Sequence, residues 1–295
     1  MQRMTRARGA LVTMGVAALL LSTSVVAASG ASTKGTYNAA AAKLVPAAYK
    51  GVTLQVATDA TYAPDESMKG STMIGFDVDL INAIATTLGV KVNENNVTFN
   101  NIIAGIQAGR YQIGNSSFTD NPKREKQVNF VDYFQAGEGV YAKATTKVTF
   151  TGFKSFCGLK VAVETGTIEQ TDAQTAAKAC SKSKKLTILT FPTQTEANTA
   201  VSSGQATVGF LDSQIAGYVV STSHGVFKLV GSAVNVAPYG IATAKNAKGL
   251  AMAKAMQAAI KVLIANGTYG AILAKWGVSS GALPVGKIVL NGAAG

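Results

Sequence analysis

One histidine, His224, and two cysteines, Cys157 and Cys180, are all that this chain of 295 residues offers to imidazole or thiolate chemistry. His224 stands beside Gly225 in a turn-like stretch, where a lone histidine is a surface residue far more often than a zinc ligand or a general base. No two cysteines lie close in sequence. No metal site, no cofactor and no histidine-dependent nucleophile are expected. Charged residues are scarce at 14%, against 47% hydrophobic, which excludes a disordered chain. After residue 30 no apolar run reaches the length of a membrane span. Basic residues outnumber acids by 27 to 15, but the lysines are scattered. Without an arginine-rich stripe or an aromatic platform, nucleic acid is not an expected partner.

The first thirty residues have a different grammar. Arg3, Arg6 and Arg8 precede an uncharged stretch from Ala10 to Ala28, apolar above all over Leu11 to Leu21, and small residues follow at Ala27, Ala28 and Ser29. A basic head, a short apolar middle and a small-residue end make a secretory signal peptide over residues 1–28. Thr13, Ser22, Thr23 and Ser24 dilute the run too much for a membrane anchor, and no cysteine near the cleavage region signals a lipid anchor. Cleavage near Ala28 removes three arginines and no acid, so the formal charge of +12 becomes about +9. The expected location is the periplasm or the cell envelope. In that oxidising setting an even cysteine count favours a Cys157–Cys180 disulfide. Residues 29–50 form an extension without a readable function.

From Gly51 onward, strand and helix patterns alternate. Val52, Leu54 and Val56 alternate with polar residues, and Val78, Ile81, Ile84, Ala85 and Leu88 recur at helical spacing before Gly89. A strand over Val90–Val97, a helix over Asn100–Ala108 and a strand over Tyr111–Asn115 complete a β-α-β-α-β unit. The order returns with strands at Leu159–Val163, Leu186–Phe191 and Ala206–Leu211, separated by helices from Ile168 and from Thr195. Such units build parallel sheets covered by helices, and two of them predict two lobes. Polar residues cluster where predicted strands end: Asp59, Asn115 to Ser117, Gly166-Thr167 and Asp212. In open α/β sheets that edge is where ligands bind.

Seven strings in this order resemble the bacterial extracellular solute-binding proteins for polar amino acids. They are TDATYAP (58–64), GFDVDL (75–80), SSFTDNPKREKQVNFVDYF (116–134), VAVETGT (161–167), VGFLDS (208–213), PYGIA (238–242) and NGTYGAILAKWG (266–277). The resemblance covers about Gly51 to Val278 and implies the two-lobed α/β type II periplasmic-binding-protein fold, each lobe a mostly parallel sheet with flanking helices, joined by two hinge strands. It implies lobe 1 over 51–142, lobe 2 over 143–237, a return to lobe 1 with C-terminal helices over 238–280, and a tail over 281–295. Tyr141 to Ala144 and Val236 to Tyr239 are the expected crossings.

The resemblance also implies roles. Arg124 would grip a ligand α-carboxylate, helped by Ser117 and Thr119, with Asn115 beside them. The backbone N–H groups of Thr167 and Ile168, opening a helix, would bind it from the second lobe. Asp212 would accept from the α-ammonium, while Asp59, Tyr62 and Phe99 line the side-chain end. Asp65 near the pocket mouth, with Asp59, would favour a cationic side chain. Met252 and Met256 are expected in the core, and Trp276 as an anchor of the last helix. The implied function is an extracytoplasmic protein that captures a polar amino acid and delivers it as a monomer to a membrane ABC permease, without chemistry. Two alternatives share the fold: a cyclohexadienyl-type dehydratase, for which Glu164 is the one unexpected acid or base, and an amino-acid sensor module.

Overall fold

The computed structural model describes residues 32–294. The expected signal peptide and the start of the extension lie outside these residues. A short helix α1 (Ala39–Ala42) precedes β1 (Thr53–Thr58), where Leu54 and Val56 are buried as their alternation predicts. Three short strands follow that the sequence pattern did not reveal: β2 (Thr61–Tyr62), β3 (Glu66–Lys69) and β4 (Thr72–Ile74), paired antiparallel into a small sheet of their own. Next come α2 (Phe76–Leu88), β5 (Lys91–Asn96), α3 (Phe99–Gln107), β6 (Ile113–Gly114) and α4 (Pro122–Glu125). The long strand β7 (Val128–Lys143) leads out of this lobe. The second lobe holds β8 (Lys160–Glu164), α5 (Ile168–Lys178), β9 (Thr187–Phe191), α6 (Gln194–Ser203), β10 (Val208–Asp212), α7 (Ser213–Thr222) and β11 (Phe227–Leu229). Then β12 (Val234–Ala244) returns to α8 (Ala247–Ala265) and α9 (Thr268–Trp276).

Local chemistry explains where the helices start and stop. α2 buries Val78, Ile81, Ile84 and Leu88 and ends at Gly89, whose φ of +65 suits a residue without Cβ. α6 opens with Thr193, which accepts from the Glu196 N–H while its hydroxyl bonds the Glu196 carboxylate. Met252 and Met256 lie in the first-lobe core, as their helical spacing predicts. Trp276 anchors α9 by donating from Nε1 to Asp79 at 2.7 Å.

The strand order is β5-β1-β6-β12-β7-β10-β8-β9. β5, β1 and β6 run parallel in the first lobe, and β10, β8 and β9 in the second. The antiparallel strands β7 and β12 join the two groups. β6 is shorter than the expected Tyr111–Asn115, although the Gln112 and Asn115 N–H groups still donate to the Gln55 and Ala57 carbonyls of β1.

The first crossing lies earlier than expected. β7 pairs with β12 up to Glu138 and with β10 from Glu138 onward, so Tyr141 and Ala142 already belong to the second lobe, opposite Gly209 and Lys228. Gly137 and Gly139 mark the passage: a Cβ on Gly137 would stand 2.7 Å from the Val234 carbonyl oxygen, and one on Gly139 2.9 Å from the Ser213 Cα. The strand runs on through this point, although Gln135, Gly137, Glu138 and Gly139 interrupt its apolar pattern. The expected second crossing, Val236–Tyr239, adjoins the register shift of β12 between Val234 and Ala237.

The tail docks on β7. Asp132 N–H donates to the Val289 carbonyl and Asn291 N–H to that of Phe130, while Ala293 N–H donates to Glu125 at 3.0 Å. Beneath it Asp120 and Asp132 are buried side by side. Burial, with Asp120 next to it, pushes the Asp132 carboxyl up to about 8.

The disulfide joins Cys157, just before β8, to Cys180, just after α5, closing a separation of 23 residues. In the chain-entropy account such a loop stabilises by about 3 kcal/mol. The double Cys157→Ser, Cys180→Ser variant should lose about that much in urea unfolding; an unchanged midpoint would contradict it. Asp132 gives a pH dependence. A carboxyl with a raised folded-state pKa keeps its proton where the unfolded chain has lost it, so its stabilisation is complete below the unfolded value, about 4, and lost as pH rises through about 8. Asp132→Asn should therefore show a smaller fall in urea midpoint between pH 5 and 8 than the parent. Equal falls would assign the dependence elsewhere.

Candidate functional site

Four strand ends from the two lobes converge on one cavity. Asp59 follows β1, Ser116, Ser117 and Thr119 follow β6, Glu164 ends β8 and Asp212 ends β10. The first lobe adds Tyr62 from β2, Glu66 from β3, Phe99 from the start of α3 and Arg124 from α4. The second adds Thr167, Ile168 and Glu169, where α5 begins with its dipole directed at the cavity. The space between these walls, part of it open to solvent, is about 290 Å³.

Hydrogen bonds across the cleft hold the lobes together. Tyr62 donates its hydroxyl to Asp212 Oδ2 at 2.8 Å and accepts from the Asp212 N–H at 3.0 Å. Arg124 donates through Nη1 to the Thr119 carbonyl at 2.8 Å and through Nη2 to the Gly166 carbonyl at 3.0 Å. Its guanidinium lies 5.3 Å from the Phe99 ring centroid and 5.4 Å from that of Phe118. Gln214 donates to Asp65 at 2.9 Å, and Gln194 N–H to Thr61 Oγ1 at 3.2 Å. Gly166 sits so close to α3 that an added Cβ would stand 3.0 Å from that of Asn100.

The walls are strongly acidic. Asp59, Glu66, Glu164, Glu169 and Asp212 face the cavity, and Arg124 is the one cation among the described residues lining it. Burial, eased by hydrogen bonds from Tyr62 and Tyr239 and by Arg124, leaves Asp212 at about 6. Burial and then the charge of Asp59 push Glu164 up to about 10. Glu66 and Glu169 are also held well above the usual carboxylate range, burial first and neighbouring acids second. Burial lowers the Arg124 pKa, and the nearby carboxylates oppose that.

A second row of acids shapes the first-lobe wall. Asp77 accepts from Tyr133 at 2.8 Å and from the Ser117 N–H at 3.0 Å, and the Ser117 hydroxyl donates to Asp65 at 2.9 Å. These bonds hold Ser117 at φ +47, a left-handed conformation rare for serine. Ser116 bridges Asp59 N–H and Glu66 Oε1, fixing both acidic residues in place.

Nine of the sequence-predicted residues line this cavity: Asp59, Tyr62, Phe99, Ser117, Thr119, Arg124, Thr167, Ile168 and Asp212. Asn115 does not. Its amide turns away and donates to the Asp77 carbonyl at 2.8 Å. Asp65, expected near the mouth, is fully buried behind the wall, bonded to Ser117 and Gln214, and Glu66 takes the cavity position next to it. Sequence reading missed Glu66, because no strand was expected there, and Glu169, which looks like an ordinary acid in a first helical turn. Ser116 carried the same signal as its neighbours.

Comparison with known proteins places this geometry in context. The family of bacterial extracellular solute-binding proteins, family 3, matches residues 54–279. The arginine-binding protein ArgT of Corynebacterium glutamicum is 33% identical over 214 residues, 72% of this chain and 69% of that protein. An ancestral arginine-binding protein bound to arginine superposes with a TM-score of 0.69 at 30% identity, covering 76% of this chain and 97% of the other. An ancestral amino-acid-binding protein, a precursor of cyclohexadienyl dehydratase, gives 0.67 at 31% identity over 76% and 95%.

Proposed function

The chain belongs to family 3 of the bacterial extracellular solute-binding proteins, and on that premise we propose that it captures a free amino acid with a cationic side chain between its lobes and delivers it to an ABC importer. The observation that carries the reading is the charge of the cavity: one buried arginine on the first-lobe wall, Asp212 on the second, and four further carboxyls around them. A zwitterion with an extra positive charge complements that arrangement.

In this reading Arg124 turns from the Thr119 and Gly166 carbonyls toward the ligand carboxylate, for which its planar fork is suited. The start of α5 adds N–H donors at Thr167 and Ile168. Asp212 takes the α-ammonium, and Tyr62 and Phe99 cover the side chain. Export by the N-terminal signal peptide, action as a monomer and transient docking on a membrane permease complete the proposal. Ligand would favour closure because each lobe holds only part of the contacts.

A dehydratase reading has one observation in its favour, the high-pKa carboxyl of Glu164 inside the cavity. We favour transport because the matched relatives just described are named for amino-acid binding. Incubation with ligand separates the two, since a binding protein returns it unchanged.

A micromolar site needs about 8.2 kcal/mol, and hydrogen bonds to charged groups contribute about 1.5–3 kcal/mol each. Removing one partner of a buried charge pair costs about 2–5 kcal/mol. Arg124→Ala and Asp212→Ala should therefore each weaken binding by about 30-fold to several thousand-fold in calorimetry against a panel of amino acids, with circular dichroism unchanged. Parent-like binding by Arg124→Ala would move the carboxylate grip elsewhere.

A further inference from the structure

Glu164 ends β8 on the second-lobe wall, 2% exposed, and lines the same cavity as Asp59, which follows β1 on the opposite lobe. Burial and neighbouring acids both disfavour a bare carboxylate there. The donors around the two carboxyls differ. Asp59 Oδ1 accepts from the Thr61 N–H at 3.1 Å and hydroxyl at 2.7 Å, and Oδ2 accepts from the Phe99 N–H at 2.8 Å. Glu164 Oε1 has no hydrogen-bond partner among the described residues. Burial without donors favours the protonated Glu164 carboxyl.

Nothing else in the cavity replaces that proton. Glu169 from α5, Asp212 from β10 and Asp59 from the end of β1 surround Glu164 with further acids, and Glu66 from β3 lines the same space. Arg124, from α4, is engaged by the carbonyls of Thr119 and Gly166. With the lobes apart, water solvates Glu164 and the carboxyl ionises at neutral pH. Closure then takes one of two forms. Either a proton from solvent joins Glu164 as it is buried, or a cationic group enters the cavity and the carboxylate stays ionised.

We propose that Glu164 is the charge-selecting residue of this site: a ligand with a cationic side chain closes the lobes without proton uptake, whereas a neutral ligand closes them only as Glu164 gains a proton. The inference rests on the amino-acid reading above and gives it a mechanism of selection. Rejection of neutral ligands follows from the scarcity of protons at neutral pH, and not from shape alone. The raised proton affinity of the buried Glu164 carboxyl, about 10, agrees with the geometry.

Arginine and its uncharged isostere citrulline test this in the mature protein. Calorimetric titrations run from pH 5.5 to 7.5, each in two buffers of different ionisation enthalpy. One linked proton changes affinity by about tenfold per pH unit. Citrulline should bind about tenfold more weakly for each unit of rising pH, with a buffer-dependent heat that reports uptake of about one proton. Arginine affinity should stay flat. Glu164→Gln mimics the protonated carboxyl, so citrulline should lose its pH dependence and bind at least tenfold tighter at pH 7.5, while arginine weakens. The parent slope stands as a test even where the variant fails to fold. Citrulline binding that is flat with pH in the parent, absent at pH 5.5, or equally steep in Glu164→Gln overturns the proposal while arginine binding persists. If neither compound binds the parent, the amino-acid reading falls and takes this inference with it.

Discussion

β7 and β12 run antiparallel from Val128 opposite Ala244 to Glu138 opposite Val234, and each also completes the sheet of a lobe. β12 borders β6 in the first, while β7 borders β10 and β11 in the second. Neither group of parallel strands could bury its edge without this pair, and an unpaired edge leaves a row of exposed N–H and C=O groups. The same pair sets both lobes with their carboxyl strand ends toward one cavity. Asp59, Glu164 and Asp212 meet there although more than a hundred residues separate the first from the other two. Gly137 and Gly139 let the chains pass closely where the lobes join.

With that frame in place, the chemistry of the cavity is a matter of how many carboxyls can be buried together. An isolated buried carboxylate is costly, so such groups gather donors or keep their protons. Asp77 takes the first route, with Tyr133 and the Ser117 N–H, and so does Asp59, with Thr61 and Phe99. Glu164 takes the second. The bonds from the Ser117 N–H to Asp77 and from its hydroxyl to Asp65 hold Ser117 in its left-handed conformation, so the second row of acids acts on the wall it supports. A ligand that brings positive charge lowers the cost of every carboxyl around it at once.

Arg124 shows how one position ties the two walls of the cavity together. It sits in a one-turn helix capped by Asn121, whose side chain accepts from the Lys123 and Arg124 N–H groups. The tail reaches the next residue, with Ala293 N–H on Glu125. The guanidinium between Phe99 and Phe118 gains cation–π attraction and bridges to Gly166 of the other lobe. Although Lys123-Arg124-Glu125-Lys126 is a run of charges, Arg124 and Glu125 are buried.

Periodicity and caps made the two β-α-β-α-β units legible, because the burial of one face imposes a repeat on the residues that form it. The polar residues at strand ends were legible for the same reason: a strand that stops at a ligand edge stops its apolar alternation there. Asp59, Thr167 and Asp212 could be placed from that rule, and the disulfide from compartment and count. Other features left no local trace. The crossing at Gly137 lies inside one continuous strand, and the strands at Thr61–Ile74 are too short for alternation to show. Asn115 and Ser117 are two residues apart, yet one turns to the Asp77 carbonyl and the other to the cavity. Glu164 and Glu169 look in the sequence like any strand-end and helix-start acids. The sequence by itself determined the lobes, the ligand edge and most residues along it, since these follow from contacts between near neighbours. Only the tertiary structure decided which acids face one another across the cleft, because that pairing depends on two distant strand ends meeting in space.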